Sequence, residues 1–211
     1  MLDIKNIAGA VSICAVTKGR TVAEVESVLK QFPFIKVIGE NRWPDCEEKF
    51  QHFHDLQKHF IGPLQTNKIR KVVKIADVIQ SVDSFDLLQK VDRIASEENR
   101  KIKFCFQVNI SHDPQKQGIE PDMLFEIIED YLSANLQNVE LVGLMTIGSQ
   151  DSDEKRYEYF KEFKELFDKI NAKYFSSSPL PVLSMGMSED YQLAVKAGAT
   201  MVRIGSALFA K

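Results

Sequence analysis

Cysteine is scarce in this chain: three in 211 residues, Cys14, Cys46 and Cys105, widely scattered. That excludes a disulfide framework and a zinc knuckle, and makes a reducing cytoplasm the expected home. Cys14 and Cys105 sit inside apolar runs, where a thiol acts as a small hydrophobe. No apolar run approaches the roughly 20 residues of a membrane span. The N-terminal stretch lacks the long apolar core and cleavage pattern of a signal peptide. Charge of one sign is lacking too. Twenty-seven Lys and Arg against 30 Asp and Glu leave a net charge of −3, which argues against broad binding to nucleic acid or anionic membranes. No Pro/Gly/Ser-rich linker divides the chain; Ser176-Ser177-Ser178-Pro179 reads as a loop. A single domain over residues 1–211 is therefore expected, with no low-complexity region and no close repeat. The histidines at 52, 54, 59 and 112 show no carboxylate-supported ligand spacing, so no metal site is expected.

What is present is an ordinary globular composition, 44% hydrophobic and 27% charged, ordered as strand-like runs alternating with helical patterns. The strand candidates are Ser12–Val16, Ile35–Ile38, His59–Ile61, Val78–Ser81, Phe104–Ile110, Leu141–Thr146, Pro181–Ser184 and Met201–Ile204. Helix starts are marked by Thr21 with Glu24 as a capping box, by Ser84 before Phe85-Asp86-Leu87-Leu88, and by Pro121 at a first helical position. Tyr157, Phe160, Phe163, Leu166, Phe167 and Ile170 form an apolar stripe over a helix at Asp153–Asn171. Ser188 is expected to cap a helix over Glu189–Ala197, which Gly198 stops. This α/β pattern, eight strand–helix repeats in a chain this short, favours a closed (β/α)8 TIM barrel over an open doubly wound sheet.

A barrel demands that chemistry cluster at the C-terminal strand ends. Lys18, Asn41, Asn109, Thr146, Ser184 and Arg203 all fall there. Alternation places Met201 and Arg203 on one face of the last strand and Thr200, Val202 and Ile204 on the other, so Arg203 points into the barrel if the branched face packs on helices. By the same parity Cys14, Val16 and Lys18 share a face, as do Gln107 and Asn109. Lys18 is either a solvated loop residue or a Schiff-base lysine; the second role needs a neutral amine, favoured by burial or a nearby cation such as Arg203. Arg203 can donate to a ring nitrogen but cannot readily give up its proton. Ser184-Met185-Gly186 and Gly205-Ser206 are two tight turns whose backbone N–H groups suit a phosphate. Glu189 and Asp190, in the expected first turn after Ser188, would repel one there, so the phosphate is placed mainly at Gly205-Ser206. Asn41 can equally stabilise a turn, and His59 can be a satisfied core residue. Lys68, Arg70, Lys71 and Lys74 lack an aromatic platform and read as a solvated helix surface rather than an RNA site.

These residues compose longer motifs. Ala15-Val16-Thr17-Lys18, Ile38-Gly39-Glu40-Asn41, the run His59 to Lys68, Gln107-Val108-Asn109-Ile110, Gly143 to Ile147, Leu183 to Ser188 and Met201 to Phe209 occur in an order that resembles the YggS/PROSC family of pyridoxal-phosphate homeostasis proteins. The resemblance runs from the first strand almost to the C-terminus. It implies a barrel like the N-terminal domain of alanine racemase that holds pyridoxal 5′-phosphate (PLP) through a Schiff base. By motif, Lys18 is the Schiff-base lysine, Asn41 lies beside the ring and Arg203 faces the pyridine nitrogen. Ser184, Met185, Gly186, Gly205 and Ser206 surround the phosphate, with Ser206 standing where threonine is more usual. The implied role is supplying, buffering or guarding cellular PLP without established catalytic turnover, with apo PLP-dependent enzymes as partners and a monomer as the default state.

The chain departs from the pattern at several points. It begins almost at the first strand, without the usual preceding helix. Gly19-Arg20 and Arg42-Trp43-Pro44-Asp45-Cys46 replace the segments normal after Lys18 and Asn41, and the end is shorter than usual. Two other readings compete: a PLP-dependent amino-acid racemase, which needs an acid/base opposite Lys18, and a phosphate-binding barrel without PLP. The tyrosines at 131, 157, 159, 174 and 191 fall in helical or adjacent loop segments, which disfavours the racemase.

Overall fold

The strand-like runs pair in sequence order, each parallel to the next, and the last returns to the first. The computed structural model describes residues 4–7 and 9–210. Its strands are β1 (Ser12–Val16), β2 (Val37–Glu40), β3 (Gln57–Phe60), β4 (Val78–Val82), β5 (Ile102–Gln107), β6 (Val139–Met145), β7 (Val182–Ser184) and β8 (Met201–Ile204). They form a closed barrel, β8 pairing with β1 through Cys14 opposite Arg203 and Ala15 opposite Ile204. The α-helices are α1 (Ile4–Ile7), α2 (Val22–Gln31), α3 (Asp45–His52), α4 (Ile69–Ile75), α5 (Phe85–Glu97), α6 (Leu124–Ser133), α7 (Asp153–Tyr174), α8 (Tyr191–Lys196) and α9 (Ser206–Phe209), with short 3-10 turns at Thr66–Lys68 and Pro121–Met123. The closed eight-stranded parallel sheet rules out the open alternative.

Alternation divides the apolar residues between two cores. Outward residues, among them Ala15, Ile38, Phe104, Phe106, Val202 and Ile204, pack against the helices in one large cluster. Phe104 and Phe106 meet edge to face at 5.1 Å. The stripe on α7 faces this cluster, with Phe160, Phe163, Leu166, Phe167 and Ile170 all buried. Smaller clusters, Val78 with Cys105, Val142 and Met145, and Cys14 with Val37 and Met201, gather the inward residues. A register shift between Ile79 and Val82 in β4 returns Val82 to the outer cluster.

The capping box forms as expected: Thr21 Oγ1 accepts from Glu24 N, and Glu24 Oε2 accepts from Thr21 N. Ser84 caps α5 in the same way. Three expectations are corrected. A one-turn helix, α1, does precede β1, and Ile4 on it is buried in the main core. The fifth strand stops at Gln107, because Asn109 N turns to Ile119 O and a bridge forms between Val108 and Ile119. Ser188 does not cap a helix. The next helix starts only at Tyr191, because Asp190 Oδ1 accepts from Met187 N at 2.6 Å and holds the intervening loop as a turn. Gly198 ends α8 at φ +100°, a left-handed stop.

Candidate active site

β1 ends at Val16, and the chain turns at Lys18 and Gly19 before α2, so Lys18 is exposed at the C-terminal mouth of the barrel. There it lines one open cavity of about 1280 Å³ together with Val16, Ser188, Arg203, Gly205 and Ser206. That volume exceeds the roughly 300–1,000 Å³ of ordinary small-molecule sites. Opposite Lys18 the wall is made by loop residues between β5 and α6 and between β6 and α7, and by the first turns of α7, including Lys116 and Tyr159.

Arg203 is 4% exposed. Its NH1 donates to Ser184 Oγ at 2.8 Å and its NH2 to the Thr146 carbonyl at 2.7 Å. These two bonds leave further donors of its five-donor guanidinium, and Arg203 lines the cavity. Burial lowers its pKa from the usual arginine value, opposed by nearby Cys14, Asp190 and Cys105. The thiols of Cys14 and Cys105, fully enclosed in the barrel, are pushed up to about 12 by burial and so stay protonated.

Turn chemistry explains the other wall. The Ser188 hydroxyl accepts from Gly205 N at 3.1 Å and from Ala207 N at 3.4 Å. An acceptor oxygen thus already sits on the N–H groups that the sequence offers to a phosphate. The acidic residues expected to repel it are disposed otherwise: Glu189 is exposed, while Asp190 is 4% exposed, bonded to Met187 N and 4.0 Å from Arg156. Burial raises the Asp190 pKa, against the lowering effects of the Met187 N–H and of Arg156 and Arg203.

Ser184, Met185 and Gly186 are buried below this turn. The Ser184 hydroxyl lies between Arg203 and Gln80, donating to Gln80 Oε1 at 2.7 Å. Met185 points into the outer core. Gly186 has φ +88°, and a Cβ there would stand 2.5 Å from the Ala194 Cβ, so only glycine lets this strand end pass α8. Its carbonyl accepts from Arg203 N. Asn41 follows β2 outside the cavity lining, and its Oδ1 is buried without a partner. Asn109 is not part of the cavity lining; its amide donates to Glu120 Oε1 and to the carbonyl of Asp113, which is. The basic residues of the α4 segment are used at the surface: Arg70 pairs with Glu97 and Glu98, Lys74 with Glu98, and Lys71 lies over Trp43. Among the described residues no group of His, Cys, Asp and Glu is arranged for a metal ion, and no helix is long and apolar enough to cross a membrane.

Two buried polar groups lie outside the cavity lining: His59, as the satisfied core residue that the sequence allowed, and Lys49, which the sequence reading did not single out. His59 lies inside the barrel at 1% exposure, its Nδ1 2.6 Å from Gln80 Nε2 and its Nε2 2.9 Å from Gln57 Oε1. Lys49 on α3 is 4% exposed; its ammonium donates to Glu40 Oε1 and, at 2.6 Å, to the Thr17 carbonyl. Periodicity carries no signal for Lys49, since a lone lysine in a charged helix looks like a surface residue.

Burial pulls the His59 pKa down to about 3 from 6.5. The unfolded chain therefore binds a proton at this site between those values while the folded chain does not, so the folded state is favoured above pH 6.5 and loses that advantage as pH falls towards 3. The expected slope is about 1.4 kcal/mol per pH unit from this group. Denaturant titrations of wild type and His59→Gln between pH 4 and 7 check it: the wild-type slope should be the steeper by that amount, and parallel curves contradict it.

The alanine racemase N-terminal domain family model matches residues 1–211. The chain is 36% identical over 207 residues to the pyridoxal phosphate homeostasis protein of Aquifex aeolicus, covering 96% of this chain and 89% of that protein. It is 37% identical over 213 residues to the protein of the same name from Synechocystis, covering 98% and 94%. Its fold matches PipY of Synechococcus elongatus, solved with PLP bound, at a TM-score of 0.83 and 33% identity over 96% of this chain and 93% of that one. Alanine racemase of Clostridium difficile shares the fold at a TM-score of 0.80 and 20% identity; the match covers 98% of this chain and 54% of that enzyme. The chain belongs to the alanine racemase N-terminal domain family and lies among its pyridoxal phosphate homeostasis proteins.

Proposed function

We propose that this protein binds PLP in the barrel-mouth cavity, covalently and reversibly through Lys18, and serves intracellular PLP homeostasis. The observation that carries this is the convergence of Lys18, Arg203, Gly205 and Ser206 on one cavity, in a chain 33% identical to a relative solved with PLP bound. The residues fit the group. Gly205 N and Ala207 N, now held by the Ser188 hydroxyl, suit phosphate oxygens, and Ser206 adds a hydroxyl at the same turn. Asn41 offers an unpartnered amide oxygen beside β2. Ser184, Met185 and Gly186 support the site from beneath, Ser184 and Gly186 by bonding Arg203.

Bound there, PLP supplies an aldehyde that a lysine amine captures reversibly. Lys18 provides the amine. Arg203 would offer N–H donors to a ring nitrogen while keeping its own proton, which would leave that nitrogen largely unprotonated and weaken the electron sink needed for carbanion chemistry. Retention with controlled release, rather than turnover, follows. The released cofactor serves apo PLP-dependent enzymes in the cytoplasm, and the protein acts as a monomer.

One observation bears on the racemase reading: Tyr159 lines the cavity, although it lies on α7. The Lys155 ammonium sits 5.7 Å from its ring centre. The deciding experiment is incubation of the purified protein with PLP. A visible absorbance band should appear, and borohydride should fix one PLP on the peptide containing Lys18. A colourless protein with no uptake overturns the reading. Steady conversion of L- to D-alanine, lost in Lys18→Ala and in Tyr159→Phe, would establish the racemase instead.

A further inference from the structure

A continuous line of buried polar side chains crosses the inside of the barrel, from the N-terminal rim to the floor of the cavity. It joins Gln57 and His59 on β3, Gln80 on β4, Ser184 on β7 and Arg203 on β8, at successive separations of 2.9, 2.6, 2.7 and 2.8 Å. Gln57 is exposed, whereas the other four are 4% exposed or less. Around them the barrel interior is apolar, and Gln80 Nε2 also reaches Met201 Sδ at 3.3 Å.

Donor and acceptor rules favour one direction for this line. Arginine only donates, so Ser184 Oγ accepts from Arg203 and sends its own hydrogen to Gln80 Oε1. The Gln80 amide then presents Nε2 to His59, whose Nδ1 must accept. Nε2 of His59 carries the hydrogen and donates to Gln57 Oε1. Every member is satisfied in this arrangement. Reversing the Gln80 amide would leave the Ser184 hydroxyl hydrogen without its acceptor, and a hydrogen on His59 Nδ1 would face the Gln80 amide N–H, each costly in a buried space.

We infer that His59 and Gln80 are positioning residues: through Ser184 they hold the Arg203 guanidinium in the single orientation that points its free donors at the bound ring. This rests on the PLP reading for what Arg203 faces, but the relay itself is a property of the ligand-free protein. The Thr146 carbonyl anchors the other terminal nitrogen of Arg203, so loss of the Ser184 contact leaves the guanidinium free to swing about one bond rather than releasing it. The relay also explains two polar side chains at the centre of a barrel that apolar residues of similar size would fill without hydrogen-bond requirements.

Two measurements test this. In ligand-free protein, nitrogen-edited NMR should show His59 as one neutral tautomer with hydrogen on Nε2, and a sharp, slowly exchanging Nε–H signal from Arg203. In Gln80→Leu and Ser184→Ala the Arg203 signal should shift and broaden, while Ser184→Thr, which keeps the hydroxyl, should restore it. With PLP, Gln80→Leu should still be fixed to Lys18 by borohydride, but with a displaced visible band and affinity weakened about tenfold, the effect of misplacing one charge-assisted hydrogen bond. Should Gln80→Leu fail to fold, Ser184→Ala decides. Hydrogen on His59 Nδ1, or an unchanged Arg203 signal in the folded variants, overturns the relay. Wild-type protein that takes up no PLP overturns the functional reading alone, leaving the relay to be judged on the ligand-free signals.

Discussion

Lys18→Ala is expected to abolish borohydride-fixable uptake of PLP and the visible band, while leaving weak binding that inorganic phosphate displaces. In the proposed site Lys18 would supply the amine at the cavity mouth, whereas the phosphate donors would belong to the Gly205–Ala207 turn at the far end of the chain. The two contributions are thus separable by mutation. The lost covalent bond outweighs a charge-assisted hydrogen bond of about 1.5–3 kcal/mol, so affinity should fall at least 10- to 100-fold. Because Lys18 is exposed, stability should stay within about 0.5 kcal/mol of wild type. Isothermal titration with and without phosphate, beside a denaturant melt, reads both quantities. Retained fixation would place the amine elsewhere, and Lys116, on the same cavity wall, would be the first residue to examine.

Lys49→Met should cost about 3–5 kcal/mol of unfolding free energy, although Lys49 lies outside the cavity lining. Glu40 is fully buried, and among the described residues Lys49 is the one cation it pairs with; Oε1 also accepts from Thr17 Oγ1 at 2.6 Å, and Oε2 has no partner. Removing the ammonium strands a buried carboxylate. The companion variant, Glu40→Gln with Lys49→Met, removes both charges and should recover more than half of the loss; a double variant as unstable as the single one would show that shape, not charge, sets the cost. The site should respond as well. Thr17 and Glu40 face outward towards α3, so the residue after Thr17, Lys18, is the one carried to the mouth. Lys49 bonds the carbonyl of the peptide that joins Thr17 to Lys18. A slower PLP uptake in Lys49→Met than in an equally destabilised core variant is the expected sign of that clamp.

Much of this could be read from residue order because the governing interactions are local. The capping box at Thr21 and Glu24, the Ser84 cap and the left-handed stop at Gly198 each depend on a few adjacent residues. The inward course of Arg203 followed from period-two alternation beside Val202 and Ile204. Ser188 misled for the same reason: serine before two acids resembles an N-cap, yet its hydroxyl meets Gly205 and Ala207, which are distant along the sequence and adjacent only once β7 and β8 pair. Ser184 likewise looked like part of a phosphate turn, but its hydroxyl is committed between Arg203 and Gln80.

The sequence by itself determined the eightfold alternation, the parity that turns Arg203 inward, and the motif order that resembles the PLP homeostasis family. Closure of the barrel, the meeting of Lys18 with Arg203, Gly205 and Ser206, the line from His59 to Arg203 and the pairing of Lys49 with Glu40 were decided only by the tertiary structure. The division has a physical cause. Backbone propensity, capping and alternation act over a few residues and leave a pattern along the chain. A buried polar group is satisfied by partners from other strands, and their identity follows from how the barrel closes.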